Sequence, residues 1–352
     1  MVSDGESRSR QAAPEPSKVV RSVCLFVGTP SDQSVLRLRT LAERLETHGF
    51  EVQTTRLCSP DLDRILKLDR DGDGSTFFSV GRVDLTEAQE RLETLCTTKN
   101  VAFNVELGSE RPTREHVGLL TDIIQNAPTK TFSFAYTFNN RPSSPFFPSA
   151  TYETDGFAIG LQPTNLSSGC RSIDEWLERL HHVWAEIDLV MRGDDDYLGI
   201  DTSIAPLLDG AGSLLNFLRR LRLDWDRAVS SDIFLGISTF IASGASRPVG
   251  LCGLMFPCLE DFDLADEYER GRFSIERCVF LSLHSGLGID SYPVGVDEDP
   301  DRILEVLSLV HGLSDKYRKP LSARFISDGR ARIGERTDLN SPYLADVTIR
   351  PL

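Results

Sequence analysis

Val19-Val20-Arg21-Ser22-Val23-Cys24-Leu25-Phe26-Val27 is a run of β-branched and apolar residues, the composition of a buried strand. It ends at Gly28-Thr29-Pro30, where Ser31 or Asp32 can cap a helix. Val35, Leu38, Leu41, Ala42 and Leu45 then recur at helical spacing as far as Gly49, which suits a left-handed cap. From Phe50 to Leu57 the pattern is extended again. Strand, helix, strand in that order is a βαβ unit. Such a unit implies a parallel strand pair joined by a right-handed crossover.

The same rhythm runs outward to the end of the chain. Helices are expected at Leu85 to Thr97, Thr113 to Asn126, Ile173 to Met191, Ser213 to Leu223 and Ser231 to Ala242. Three more follow at Glu260 to Arg270, Ser274 to Leu283 and Pro300 to Tyr317. Strands are expected at Val101 to Val105, Thr131 to Phe138, Phe157 to Leu161, Tyr197 to Ile200 and Val249 to Phe256. Ile289 to Pro293, Leu321 to Ile326 and Ala345 to Ile349 bring the total to about ten. No internal linker interrupts the alternation, so residues 19–352 read as one large α/β domain. Residues 1–18 are polar, contain Pro14, Pro16 and several Ser, and read as a disordered tail. Asn139 to Asp155 is the longest irregular stretch and holds Pro142, Pro145, Phe146, Phe147, Pro148 and Tyr152. A segment that long and that aromatic is packed or functional.

Composition excludes several classes. With 352 residues, 40% hydrophobic and 26% charged, the chain can build a globular core. It lacks the roughly 18–20 uninterrupted apolar residues of a membrane span. Acidic residues outnumber basic ones 53 to 38, for a net charge of -15. That balance argues against nucleic acid, whose backbone is bound by Lys and Arg. Of the basic residues 32 are Arg, which fits a GC-rich genome, with salt adaptation the sharper reading. Seven cysteines lie scattered without a CxxC pair, as expected of free thiols in a reducing compartment. With no apolar signal segment at the N-terminus, a cytoplasmic protein is expected.

Local motifs are mostly weak. Asp69-Arg70-Asp71-Gly72-Asp73-Gly74 copies the opening of a calcium loop, but Val80 stands where the bidentate Glu belongs. It reads as a solvated acidic turn, and no metal site is assigned. Neither a GxxxxGK[ST] nor a GxGxxG phosphate loop occurs, nor HExxH or GxSxG. His181 and His182 face different directions on one helix, as surface and boundary residues do.

The second half carries more. Asp201 and Ser203 follow a strand in Gly199 to Pro206, Glu260 follows Val249 to Pro257, and Asp290 opens the strand after His284-Ser285-Gly286. Carboxylates at strand ends of a parallel α/β fold face the crevice where ligands bind. These stretches resemble the DUF711 family, also called UPF0210, of bacteria and archaea. The resemblance runs through Val20-Arg21-Ser22-Val23, Ser144-Pro145-Phe146-Phe147-Pro148, Gly199 to Pro206 and Gly253 to Asp261. It continues through Gly288-Ile289-Asp290 and Lys319-Pro320-Leu321-Ser322-Ala323-Arg324. It implies a ten-stranded α/β barrel like that of the glycyl radical enzymes, the pyruvate formate-lyase-like fold. The family lends no catalytic residue, because no reaction is attached to it. Where it often has Cys before Gly286, this chain has Ser285, which removes a thiol mechanism at that position. The Arg332-Ile333-Gly334-Glu335 run lacks the aromatic residue of a radical-bearing glycine loop.

Asp201, Glu260 and Asp290 are therefore the expected catalytic groups, converging at one mouth of a barrel. Ser203, Ser285, Ser322 and Arg324 are the expected substrate-binding groups. Alternation places Ser322 and Arg324 on one face of their strand, opposite Leu321, Ala323 and Phe325. A buried guanidinium must be paired, with Asp290 the first choice of partner or else an anionic ligand. The substrate would be a small polar or anionic metabolite handled by acid/base chemistry; the alternative is a metabolite-binding regulator using the same pocket. A divalent metal held by two of the carboxylates, and a homo-oligomer, are both compatible with the sequence, although neither has a signature in it.

Overall fold

The computed structural model describes residues 16–108 and 111–352. Most of the expected tail, residues 1–15, lies outside them. The ten strands are β1 (Lys18–Phe26), β2 (Phe50–Val52), β3 (Thr55–Cys58), β4 (Thr76–Val83) and β5 (Val101–Glu106), followed by β6 (Phe134–Phe138), β7 (Gly156–Leu161), β8 (Tyr197–Asp201), β9 (Gly288–Pro293) and β10 (Leu321–Ile326). They form one sheet in the order β8-β7-β1-β3-β4-β5-β6-β10-β9, with β2 paired to β1 beside β3. Neighbours run parallel except at β1/β7 and β6/β10. The sheet thus consists of a first parallel set, β1 to β6, flanked by β7–β8 and β9–β10 running the opposite way. Helices between the strands make this a single α/β domain, and no helix among the described residues is long and apolar enough to cross a membrane.

Several elements differ from the sequence expectation. Val249 to Phe256 is not a ladder strand. Gly250 and Cys252 take left-handed backbone (φ 70° and 46°), which breaks the extended repeat. The ladder path accordingly ends at β8 and β9. Single bridges of residues 248–257 span that gap, and Leu254 pairs both with Ile204 after β8 and with Gly286 before β9. Ala345 to Ile349 contributes only the bridge of Thr348 to Arg336. Pro128–Ser133 is a tight 3-10 turn, so β6 begins later than expected, at Phe134. The extended stretch after Gly49 divides into β2 and β3, while β4 and the helix Leu62–Asp71 were not foreseen. A bulge between Ser79 and Arg82 disturbs the alternation that would have marked β4. Asp69 belongs to that helix and is buried, its carboxylate accepting the amides of Lys99 and Asn100 at 2.9 and 3.0 Å. It is a fastener for the turn into β5, not a solvated turn residue.

The two faces of the sheet are built differently. Val20, Val23 and Leu25 of β1, Phe103 of β5, Tyr136 of β6, Ile159 of β7 and Ala323 of β10 pack on helix residues such as Leu41, Ile123, Leu180 and Leu307. Each such large side chain contributes about 1.5–3 kcal/mol through burial. The opposite, inner face carries smaller groups, and Cys24, Phe26, Cys58 and Ala158 meet Ala150, Phe147 and Tyr152 there. Those last three come from residues 139–155, the long aromatic stretch, which is seated on the inner face. Its irregular backbone finds partners in the strands. Ser22 Oγ donates to the Pro145 carbonyl at 2.9 Å, and Asn104 Nδ2 to the Pro148 and Ala150 carbonyls at 2.8 and 3.0 Å. Buried irregular chain persists only where its polar groups are so satisfied.

Gly160 on β7 leaves room for this segment, because a Cβ there would lie 2.8 Å from the Phe146 ring. Gly160→Ala is expected to cost about 1–3 kcal/mol by overpacking. Gly236, exposed in the helix Ile233–Ser243 with open space around it, is the control; Gly236→Ala should gain up to about 1 kcal/mol. Urea unfolding of both variants checks the contrast.

Candidate functional site

The expected face of β10 holds: Leu321, Ala323 and Phe325 enter the helix-facing core, while Ser322 and Arg324 line a pocket on the other side. Arg324 is 8% exposed. Its Nε donates to Asp290 Oδ1 at 2.8 Å, its Nη2 pairs with Glu260, and its Nη1 reaches the Phe132 carbonyl at 3.4 Å. Asp290 reaches it from the adjacent strand β9. Glu260 is brought there because residues 257–260 run beside β9, with Cys258 N donating to the Asp290 carbonyl at 2.9 Å and Leu259 N to the Ser291 carbonyl at 3.2 Å. Arg21 joins from β1. The pairing of β1 with β7 slips between Val20 and Ser22, and such an irregularity re-aims a side chain. Its Nη2 donates to Glu260 Oε2 at 3.2 Å, and its Nη1 to Gln162 Oε1 at 2.9 Å and the Ala205 carbonyl at 3.2 Å.

This arrangement pushes the two carboxyls apart. Burial favours the neutral form of both. At Glu260 that effect is overcome by Arg324 and Arg21, which hold it below the usual Glu value. At Asp290 burial wins over Arg324, aided by repulsion from Glu260, and the carboxyl titrates above the usual Asp value. Arg324 itself is driven further up by its two partners, against the effect of burial. Among the described residues, Asp290 Oδ1 receives Arg324 and no protein donor reaches Oδ2. The pocket that Asp290, Ser322 and Arg324 share has a volume of about 30 Å³, with Phe147, Leu251, Phe256 and Leu287 on its walls.

Other expected site residues are elsewhere engaged. Asp201 is not brought to Glu260, Asp290 or Arg324 by any hydrogen bond or ion pair among the described residues. It is fully buried and accepts five bonds: Ser203 N at 3.0 Å, Ser203 Oγ at 2.6 Å, Cys252 N at 3.0 Å, Leu251 N at 3.0 Å and Ser144 Oγ at 2.7 Å. It ties together the end of β8, the gap-spanning segment and the inserted segment. Ser203 Oγ in turn accepts from Gly253 N at 3.1 Å. Both residues thereby fasten these segments to one another. Ser285 pairs with His284 Nδ1 at 2.7 Å and, among the described residues, makes no hydrogen bond to the Arg324 cluster. Ser322 Oγ donates to the Leu287 carbonyl at 3.4 Å on the pocket wall. Among the described residues, no group of three or more His, Cys, Asp or Glu is arranged to hold a metal.

Sequence reasoning passed over Arg21, Arg56 and Asp261. The signal for the first two was there, since an Arg inside an otherwise apolar strand must find a partner or a ligand. Asp261 is fully buried at the start of the helix Phe262–Glu269, accepting from Leu214 N and Asp263 N, each at 3.2 Å. Burial, which outweighs the Ser213 hydroxyl, lifts its carboxyl to about 7.

Two variants separate these roles. Asp201→Asn supplies one oxygen where two accept, leaving at least one buried donor facing an amide NH2; it should lose about 1–3 kcal/mol in urea unfolding. At Asp261 the folded pKa lies above the unfolded one, so its contribution is complete below about pH 4 and declines as pH rises through about 7. Asp261→Asn, which keeps a capping side chain, should remove that decline and exceed wild type above pH 8 by on the order of a few kcal/mol. Chemical denaturation at pH 5 and pH 8.5 reads the difference.

None of the curated proteins matches the chain. The family described as "Uncharacterised ACR (DUF711)" matches residues 83–340, which takes in the inserted segment, Asp201, Glu260, Asp290 and Arg324. The chain belongs to the DUF711 family.

Proposed function

We propose that this protein is an enzyme that performs acid/base chemistry on a small anionic or polar metabolite, with Asp290 as the proton-transferring group. The observation that carries this reading is the opposed pair on Arg324: Glu260 held ionised by two guanidiniums, and Asp290 raised by burial beside it. Carboxyls pushed apart by their surroundings divide the roles of stabiliser and acid or base. Asp290 is also the member of the pair on the pocket wall, with an oxygen left over for a ligand proton.

Arg324 acts on this reading as the positioning residue. Its fork spans Asp290 and Glu260 at once, a geometry that a lysine ammonium does not reproduce. Ser322 supplies a hydroxyl on the wall. At about 30 Å³ the pocket has the room of roughly one water, so a substrate must displace side chains to enter, and Phe147 and Leu251 are among the wall groups from irregular segments.

The test is a metabolite panel scored first for thermal stabilisation and then for product. A hit should be turned over by wild type, while Asp290→Asn still binds it and loses roughly 10²–10⁴-fold in kcat. Arg324→Lys should fold and lose most of the activity. Stabilisation without product, equal in wild type and Asp290→Asn, would assign the pocket to binding alone.

A further inference from the structure

We propose that Arg56 is the anchor for a carboxylate group, a subsite separate from the Asp290 pocket, so that the metabolite is a monocarboxylate. Arg56 sits on β3, in register with Cys24 of β1, and its side chain enters the inner face. Nε donates to Thr54 Oγ1 at 3.1 Å and Nη1 to the Pro145 carbonyl at 3.1 Å, while the guanidinium lies 5.1 Å from the centre of the Phe147 ring. Phe147 is the same ring that lines the Asp290 pocket. These contacts orient the fork. They supply no charge.

Among the described residues no carboxylate lies within ion-pair distance of Arg56, and Nη2 has no acceptor. Glu260 attracts it without forming an ion pair with it, and Arg21 and Arg324 repel it. Burial and those neighbours lower it to about 9, which still leaves it charged at neutral pH. The thiols around it give no counter-charge. Burial raises Cys24 well above the usual thiol value and lifts Cys58 to about 12, so both stay protonated. Three guanidiniums (Arg21, Arg56 and Arg324) thus face two carboxyls (Glu260 and Asp290), so even with both carboxyls ionised one positive charge is left unmatched. A buried guanidinium without a partner is costly. Arg56 is deep in the fold yet only half-buried, so it is not sealed off from a ligand. One negative charge and a planar pair of oxygens match what is missing, and a carboxylate supplies both. Arg324 cannot be this anchor, since its donors already serve Asp290, Glu260 and Phe132.

This inference adds a ligand class to the acid/base reading and can fail separately from it. The experiment is an NMR titration of the full chain with 13C-labelled acetate at constant ionic strength, with acetamide as the uncharged control and inorganic phosphate as a second anion. Wild type should bind acetate saturably in the millimolar range, acetamide not at all, and phosphate more weakly than acetate. Arg56→Met should bind acetate at least tenfold less well, equivalent to about 1.4 kcal/mol, while melting no lower than wild type in the absence of acetate. Arg56→Lys, keeping the charge without the fork, should fall between them and serves as the readout if Arg56→Met does not fold. Asp290→Asn should keep its acetate affinity. Equal binding by wild type and both Arg56 variants overturns the subsite and leaves the acid/base reading untouched; phosphate bound more tightly than acetate overturns the carboxylate assignment. Arg56-dependent acetate binding, with no turnover of any monocarboxylate, would instead sink the enzyme reading and keep the subsite.

Discussion

A guanidinium removed from water has to be matched by charge or ligand, and this requirement at Arg324 organises the inner side of the sheet. Two carboxyls reach it from separate parts of the chain, Asp290 from the neighbouring strand and Glu260 from an irregular segment 64 residues away. Arg21 then shares Glu260 from the far side. Breaking one partner of such a buried set costs about 3–5 kcal/mol, because the others are left uncompensated. Replacing a whole set by apolar groups is often neutral or stabilising, so stability alone gives little reason to retain this one. The reason is better sought in what the charges do to each other's protonation.

The inserted segment 139–155 and the gap-spanning segment 248–257 solve a second problem. Neither is a regular strand, yet both lie inside, where backbone amides and carbonyls need partners. Asp201 takes the amides of Leu251 and Cys252 together with the Ser144 hydroxyl, and Asn104 serves two carbonyls of the inserted segment. Side chains here replace the ladder that an ordinary strand would have supplied. The consequence is functional geometry. Irregular backbone places Phe147, Leu251 and Glu260 around Asp290 and Arg324 in a way that a regular strand, with its fixed two-residue repeat, would not. It is also why polar residues in this region divide into fasteners, such as Asp201 and Ser203, and groups with spare capacity, such as Asp290 and Arg56.

Much of the candidate site was legible one residue at a time. The alternation in Leu321 to Ile326 put Arg324 on the inner face, and the need to pair it pointed to Asp290. Asp201 was ambiguous, because a carboxylate after a strand looks the same in sequence whether it faces a ligand or five protein donors. Arg21 was hidden by the irregularity of β1, which turns a residue inward that strict alternation would have turned outward. Arg56 sat in plain view within an extended stretch, and only the absence of a facing carboxylate made it notable.

By itself, the sequence determined the class of fold and the helix-facing core. Apolar periodicity is a local property, and the β-branched runs and helical repeats from Val19 onward need nothing else to be read. It also determined which residues would have to be satisfied inside, since charge within an apolar strand announces itself. The tertiary structure alone decided the sheet order with its two antiparallel joins, the seating of residues 139–155 on the inner face, and the bridged gap at 248–257. It alone decided that Glu260 and Asp290 meet while Asp201 stands apart. Those outcomes depend on pairings between segments tens to hundreds of residues apart, whose energies are set by burial and by mutual charge, quantities that no local pattern carries.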